Sequence, residues 1–175
     1  MINLIVIIVA NIILGLAFWY SDKKSKQILK KELSGSFIIK ANPIHKISGF
    51  ILIIIAVVLI NIMILNWNED IQVIATVTAC LFLIPGILLI IYYYNYNIEF
   101  NEVRVIITNW RGTKKIFKWS DIVKVKFIDS LNCLYIKANS SKTFINQDCV
   151  GFISFIEMME LKTNYKLDTM HNKRV

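Results

Sequence analysis

The sequence predicts a membrane α-helical anchor of three transmembrane helices followed by a C-terminal α+β domain. Three uncharged apolar runs, Ile2–Tyr20, Ile47–Leu65 and Ile71–Tyr94, match the about 20 residues that a bilayer-spanning helix needs. The basic residues gather in alternate links between those runs. After Asn95 the apolar pattern switches to short β-branched, alternating stretches closed by one helical stripe.

Composition agrees with this division. The 175 residues are 56% apolar and 18% charged, where soluble domains average about 25% charged. The mean hydropathy is +0.57. The excess lies before Asn95, so the chain divides into an anchor over 1–94 and a domain over 95–168, with 169–175 as a flexible tail. About 75 residues suffice for a small core of their own.

Charge predicts the threading. The loop 21–46 holds seven lysines against Asp22 and Glu32, the link 66–70 holds only Glu69 and Asp70, and 95–175 holds thirteen Lys and Arg against eight acids. Cationic flanks stay in the cytoplasm. The N-terminus is therefore expected outside, 21–46 inside, 66–70 outside and the C-terminal domain inside. Topology thus accounts for the net charge of +8, and the basic balance gives no argument for nucleic acid as a partner. The first run lacks a basic residue before it and ends in Phe18-Trp19-Tyr20 rather than a small-residue cleavage site, so it reads as a signal-anchor and not a cleaved signal peptide.

Within the anchor, Asn11 and Asn61 each either bond a neighbouring helix or are single amides tolerated in a very apolar one. Ser21–Leu33 reads as a Lys-rich helix with an apolar edge of Ile28, Leu29 and Leu33. It lies on an anionic leaflet or serves as a solvated connector. Ser34-Gly35-Ser36 breaks it, Phe37-Ile38-Ile39 is β-like or interfacial, and Pro43 suits a helix start. Trp67 anchors the tight link between the second and third spans. Pro85-Gly86 predicts a structural kink. Tyr92, Tyr93, Tyr94 and Tyr96 read as an aromatic belt at the cytoplasmic interface.

The domain is expected to begin its sheet at Ile98–Phe100. Val103–Trp110 and Lys114–Lys118 form a hairpin through Arg111-Gly112-Thr113. Val123, Val125 and Phe127 should point inward and Lys124 and Lys126 outward. Further strands are expected at Cys133–Ala138 and around Thr143–Ile145. A helix over Gly151–Lys166 presents Phe152, Phe155, Ile156 and Met159 as its buried stripe.

This order of elements over Ile98–Lys166 resembles the membrane-anchored bacterial pleckstrin-homology-like (YcxB-like) domains. The resemblance rests on the Gly-turn hairpin Val103–Lys118, the Trp-Ser-Asp-Ile step Trp119–Ile122 leading into Val123–Phe127, the short strands after it and the single closing helix. It implies a bent antiparallel sheet closed by that helix, with Trp119 packed and Ile122 in the core. The additional first span, the basic loop and the lack of a Trp in the helix depart from related patterns. The Ile-, Asn- and Lys-rich composition points to an AT-rich bacterial genome, and a bacterial plasma (inner) membrane is the expected location.

The candidate contact surface for an anionic ligand or lipid is Arg111, Lys114, Lys115, Lys118, Lys124 and Lys126. Its bland alternative is a solvated face that merely follows the positive-inside rule. Cys80, Cys133 and Cys149 form no CxxC, and their odd count argues against a disulfide framework. With His45 and His171 far apart, no metal site is expected, and no cofactor motif occurs. Cys149 with His171, the Ser141-Lys142 pair, and Asp121, Asp129 and Asp148 assemble no recognisable catalytic constellation, so no enzyme activity is expected. Two functions remain. One is a binding or scaffolding module for a partner protein or an anionic lipid. The other is a small immunity or regulatory accessory protein that acts through its transmembrane helices.

Overall fold

A computed structural model describes residues 35–65, 69–139 and 141–166, together with positions 15, 16, 19, 20 and 23. The expected span 2–20 as a whole, the segment over 21–33 with its apolar edge, Asn11, Trp67, His171 and the tail 169–175 fall outside the described residues.

The chain order is β1 (Phe37–Lys40), α1 (Pro43–Leu65), α2 (Glu69–Asn95), β2 (Asn97–Phe100), β3 (Arg104–Thr108), β4 (Lys114–Lys118), β5 (Ile122–Ile128), β6 (Cys133–Ala138), β7 (Lys142–Asn146) and α3 (Phe152–Lys162). The strands form two antiparallel meanders, a four-stranded sheet β1-β2-β3-β4 and a three-stranded sheet β5-β6-β7. The fold class is α+β.

The sheet does not start at Ile98. Phe37–Lys40 pairs along its length with Asn97–Phe100, in the register Phe37↔Phe100 to Lys40↔Asn97. The two apolar helices are thus an insertion between neighbouring strands. Antiparallel neighbours need not be close in sequence, and the apolar Phe37-Ile38-Ile39 run finds its burial here, with Ile39 fully buried.

Each foot of the helical hairpin is fixed by local chemistry. Asn42 caps α1: its Oδ1 accepts from the Ile44 amide at 3.0 Å, and Pro43 takes the first helical position, where a missing N–H costs nothing. Its Nδ2 also donates to the Asp148 carbonyl at 2.9 Å. At the other foot a single residue, Tyr96, separates α2 from β2.

Pro43–Leu65 and Gln72–Asn95 are both long and apolar enough to cross a membrane, and in each only 11% of the apolar stretch is buried within the protein. Ile54, Leu65, Val73, Ile74 and Leu81 are all well exposed. α1 and α2 meet through small residues spaced seven apart, Gly49 and Ala56 on one helix and Ala79 and Gly86 on the other, all buried. Such residues allow close backbone approach. A Cβ on Gly49 would lie 2.7 Å from Ile90 Cγ1 and 2.8 Å from the Gly86 carbonyl oxygen. α2 runs on through Pro85, so the Pro-Gly step lies at the contact instead of ending the helix. The Asn61 amide donates to the Val57 carbonyl of its own helix at 2.8 Å.

The domain core lies between the two sheets and α3. Phe155 is fully buried and packs edge-on to Phe100 at 5.2 Å and tilted against Trp119 at 5.4 Å. The Trp119 indole N–H donates to the Asn101 carbonyl at 2.8 Å, so the ring is buried without an unpaired donor. Phe152, Ile156 and Met159 complete the predicted stripe. α3 stops at Lys162, short of Lys166: Thr163 turns to extended backbone, and its amide and hydroxyl both donate to the Met159 carbonyl. The Tyr165 hydroxyl then reaches back to the Val123 carbonyl.

One inward expectation is overturned. Val123 is 53% exposed and Ile122 takes the buried place. A register shift between Ile122 and Lys124 in the β5–β6 ladder marks a bulge, which rotates one residue out of the alternation. Val125 and Phe127 remain inside.

The glycine contact yields a direct prediction. Gly49→Ala should destabilise the hairpin by about 1–3 kcal/mol despite alanine's better helix propensity, because overpacked backbone must shift. Gly15→Ala, with open space around it, should not. Thermal melting in detergent by circular dichroism measures both, and an unchanged midpoint for Gly49→Ala would contradict the contact.

Candidate functional site

Partners opposite each other in an antiparallel ladder share a face, so the register sorts the cationic residues. In the three-stranded sheet, the rows Val125, Ile136, Thr143 and Phe127, Leu134, Ile145 are buried. The rows between them face outward. These are Lys124, Lys137 and Lys142, all exposed, and beside them Lys126, Tyr135 and Phe144. Three lysines thus stand in line across three adjacent strands.

The six cationic residues of the candidate contact surface are divided among four places. Arg111 lies in the β3–β4 turn with its guanidinium 4.6 Å from the Trp110 ring centre. Lys114 and Lys118 flank Ile116 on the outer face of the four-stranded sheet, opposite Thr108 and Arg104. Lys115 belongs to the opposite face, and its ammonium donates to the Lys142 carbonyl at 2.8 Å, joining β4 to β7. Lys124 and Lys126 project from the three-stranded sheet. Alternation within single strands separates them: adjacent Lys114 and Lys115 must point apart.

Lys137, Ser141 and Lys142 were not among the candidate contacts read from the sequence. A sequence signal for them existed. The Ala138 and Ser141 backbones exchange hydrogen bonds around a two-residue turn, Ser141 N–H to Ala138 O at 3.3 Å and the reverse at 2.8 Å. Reading that turn as two residues long pairs Lys137 with Lys142. Together with Lys115, Ala138 and Asn139 they line an open cleft of about 380 Å³.

A second group of polar side chains gathers where the helical hairpin meets the domain. His45 packs edge-on to Tyr92 at 5.0 Å, and Tyr92 stacks on Tyr96 at 5.0 Å. The Tyr96 hydroxyl donates to the Phe144 carbonyl at 3.4 Å, and Tyr92 and the buried Cys149 thiol interact electrostatically. Of the four tyrosines read as an interface belt, Tyr92 and Tyr96 therefore turn into the domain, because α2 runs directly into β2 and its last turn faces the core. Tyr94 stays 61% exposed, with Lys46 Nζ 5.6 Å from its ring centre. The Asn95 amide ties the same foot to the Trp110 carbonyl at 2.9 Å.

Burial, with a smaller contribution from Asp148, pushes the Cys149 thiol up to about 12 from its ordinary 9.0. The thiol is thus protonated at neutral pH and is a poor nucleophile. Burial also raises Tyr96, and burial followed by Asp148 raises Cys133. Asp121 accepts the Lys118 amide at 2.9 Å as a cap, and Asp129 opens a 3₁₀ turn. Among the described residues no group of three His, Cys, Asp or Glu side chains is placed to hold a metal ion.

Comparison with family models, with curated proteins and with solved structures gives no match to this chain.

The buried thiol makes stability depend on alkaline pH. Below about pH 9 both folded and unfolded states keep the proton, and the stabilisation is complete. Above it only the unfolded thiol ionises, so stability falls until the folded thiol also titrates near 12. Between about pH 8 and about pH 10.5 the wild type should lose roughly 1–2 kcal/mol more than Cys149→Ala does. Urea denaturation at the two pH values measures the difference, and equal losses would contradict burial of the thiol.

Proposed function

We propose that this chain is an integral membrane protein of a bacterial plasma membrane, with its N-terminus outside and its α+β domain in the cytoplasm. In this reading the domain is a non-catalytic pleckstrin-homology-like module that recognises a partner protein or an anionic lipid. The observation that carries the proposal is the seating of the two apolar helices between paired strands β1 and β2. A domain built around its own anchor holds its sheets at a fixed distance and attitude to the bilayer. That is useful for presenting a surface and offers nothing to a helix acting alone.

Other features support the parts of this reading. The order of a four-stranded meander, a Trp-Ser-Asp-Ile step, a three-stranded meander and one closing helix fits the resemblance. Trp119 and Ile122 are buried, as that resemblance implies. The two exposed apolar helices need lipid around them, since an aqueous patch of that size is rare on soluble proteins. The domain's cationic excess favours the cytoplasmic side, and each Lys near an anionic leaflet adds about 1 kcal/mol of attraction.

Deleting the anchor would remove β1 with it, so the test replaces lipid-exposed side chains of α1 and α2 and keeps both feet and the Gly49–Gly86 contact. Wild-type and replaced chains, tagged at the C-terminus, are recovered from native membranes with bound proteins and lipids identified by mass spectrometry. Recovery of the same partner by both is expected. Recovery by the wild type alone would move the activity to the helices and overturn the module.

A further inference from the structure

We propose that the cleft between β4 and the β6–β7 turn is a binding site for a phosphate-bearing anion. The inference rests on reading the domain as a binding module and names the chemistry of its ligand.

Three lysines from three strands line this cleft: Lys115 from β4, Lys137 from β6 and Lys142 from β7. Lys115 is held in place, because its Nζ donates to the Lys142 carbonyl at 2.8 Å. An ammonium has three donors, so two remain for a ligand. Part of the ordering cost of binding is thereby met in advance.

The lysines are arranged against the protein's own stability. Lys124, Lys137 and Lys142 are direct cross-strand partners on one outer face, and like charges opposite each other destabilise a sheet. Among the described residues none of the three, nor Lys115, has a carboxylate partner. A multivalent anion turns this repulsion into attraction.

The hydroxyl of Ser141 is the independent observation. Its Oγ is buried and makes no hydrogen bond among the described residues, while Ser141 lines the same cleft. A buried hydroxyl left unsatisfied costs about 1–3 kcal/mol, and rotation of this short side chain toward the cleft would let a ligand oxygen accept its proton and remove that cost. Three point-charge donors from different strands and one hydroxyl from the β6–β7 turn suit a tetrahedral group better than a planar one. A phosphoryl group offers three acceptor oxygens and a charge of about −1.5 to −2, whereas a carboxylate offers two oxygens and a single charge. Lysine binds phosphate as a point charge, without the planar fork that makes arginine the partner of carboxylates.

The cleft lies close to the foot of the hairpin. Lys142 is two residues from Phe144, whose carbonyl accepts the Tyr96 hydroxyl, or about 7 Å along a strand. A soluble phosphate or a lipid headgroup presents the same chemistry there.

The test uses full-length protein in nanodiscs of phosphatidylcholine, with inorganic phosphate titrated at matched ionic strength against chloride, and separately in nanodiscs containing phosphatidylglycerol. The thermal midpoint is the readout. The midpoint should rise with phosphate, with phosphatidylglycerol, or with both. A rise with phosphate alone identifies a soluble source and one with phosphatidylglycerol alone a headgroup, and either supports the site. Lys137→Gln should raise the midpoint without anion, by relieving the lysine row, and weaken the anion response about tenfold or more, the scale of one charge-assisted hydrogen bond. Ser141→Ala should weaken the response, while Lys114→Gln/Lys118→Gln should leave it at wild-type strength. Absence of any response in the wild type, or equal weakening in Lys114→Gln/Lys118→Gln, overturns the site. A response at this cleft in a chain that recovers neither a protein nor an anionic lipid from native membranes would sink the module reading and keep the site.

Discussion

The pairing of β1 with β2 is the constraint on which the rest of the molecule depends. These strands are neighbours in the sheet, yet the whole helical hairpin lies between them in the chain. Paired strands stand about 4.8 Å apart, while packed helices with ordinary side chains stand about 8–10 Å apart. The ends of α1 and α2 must therefore approach more closely than most helices do. Gly49 and Gly86 supply that approach, with Ala56 and Ala79 continuing the seam. The isolated bridge between Lys40 and Val150 extends the pairing toward the start of α3, so both ends of the domain sequence bear on the hairpin's foot.

This arrangement explains why polar aromatic residues at the end of α2 are drawn into the domain. A helix that enters a strand after one residue cannot leave its last turn in the membrane interface on all sides. Tyr92 and Tyr96 fill the space between hairpin and sheets, meeting His45, Cys149 and the Phe144 backbone. The foot becomes a packed joint rather than a flexible linker. The two sheets therefore keep a set orientation to the helical hairpin.

Much of this was legible in the sequence where one physical signal dominates. Apolar length located the two described spans, and the period of 3.6 located Phe152, Phe155, Ile156 and Met159 on α3. Turn chemistry located the β3–β4 hairpin, where Gly112 has a φ of +81° and Asn109 caps its own turn through Arg111 and Thr113. The failures share one cause, the dependence of sheet geometry on non-local register. Phe37-Ile38-Ile39 read as β-like or interfacial, but nothing local says that its partner lies beyond two helices. The bulge at Val123 leaves no mark in a run of alternating residues. The lysine row needed the β5–β6–β7 register, and strand alternation divides the six candidate cations, close in sequence, among four places.

Hydrogen exchange of the full-length protein in nanodiscs tests the central claim most directly. The account predicts that the peptide covering Phe37–Lys40 is protected as strongly as Asn97–Phe100, since the two form one ladder. Free exchange of Phe37–Lys40 beside a protected Asn97–Phe100 would mean that the hairpin is not clamped by the sheet, and would contradict the account.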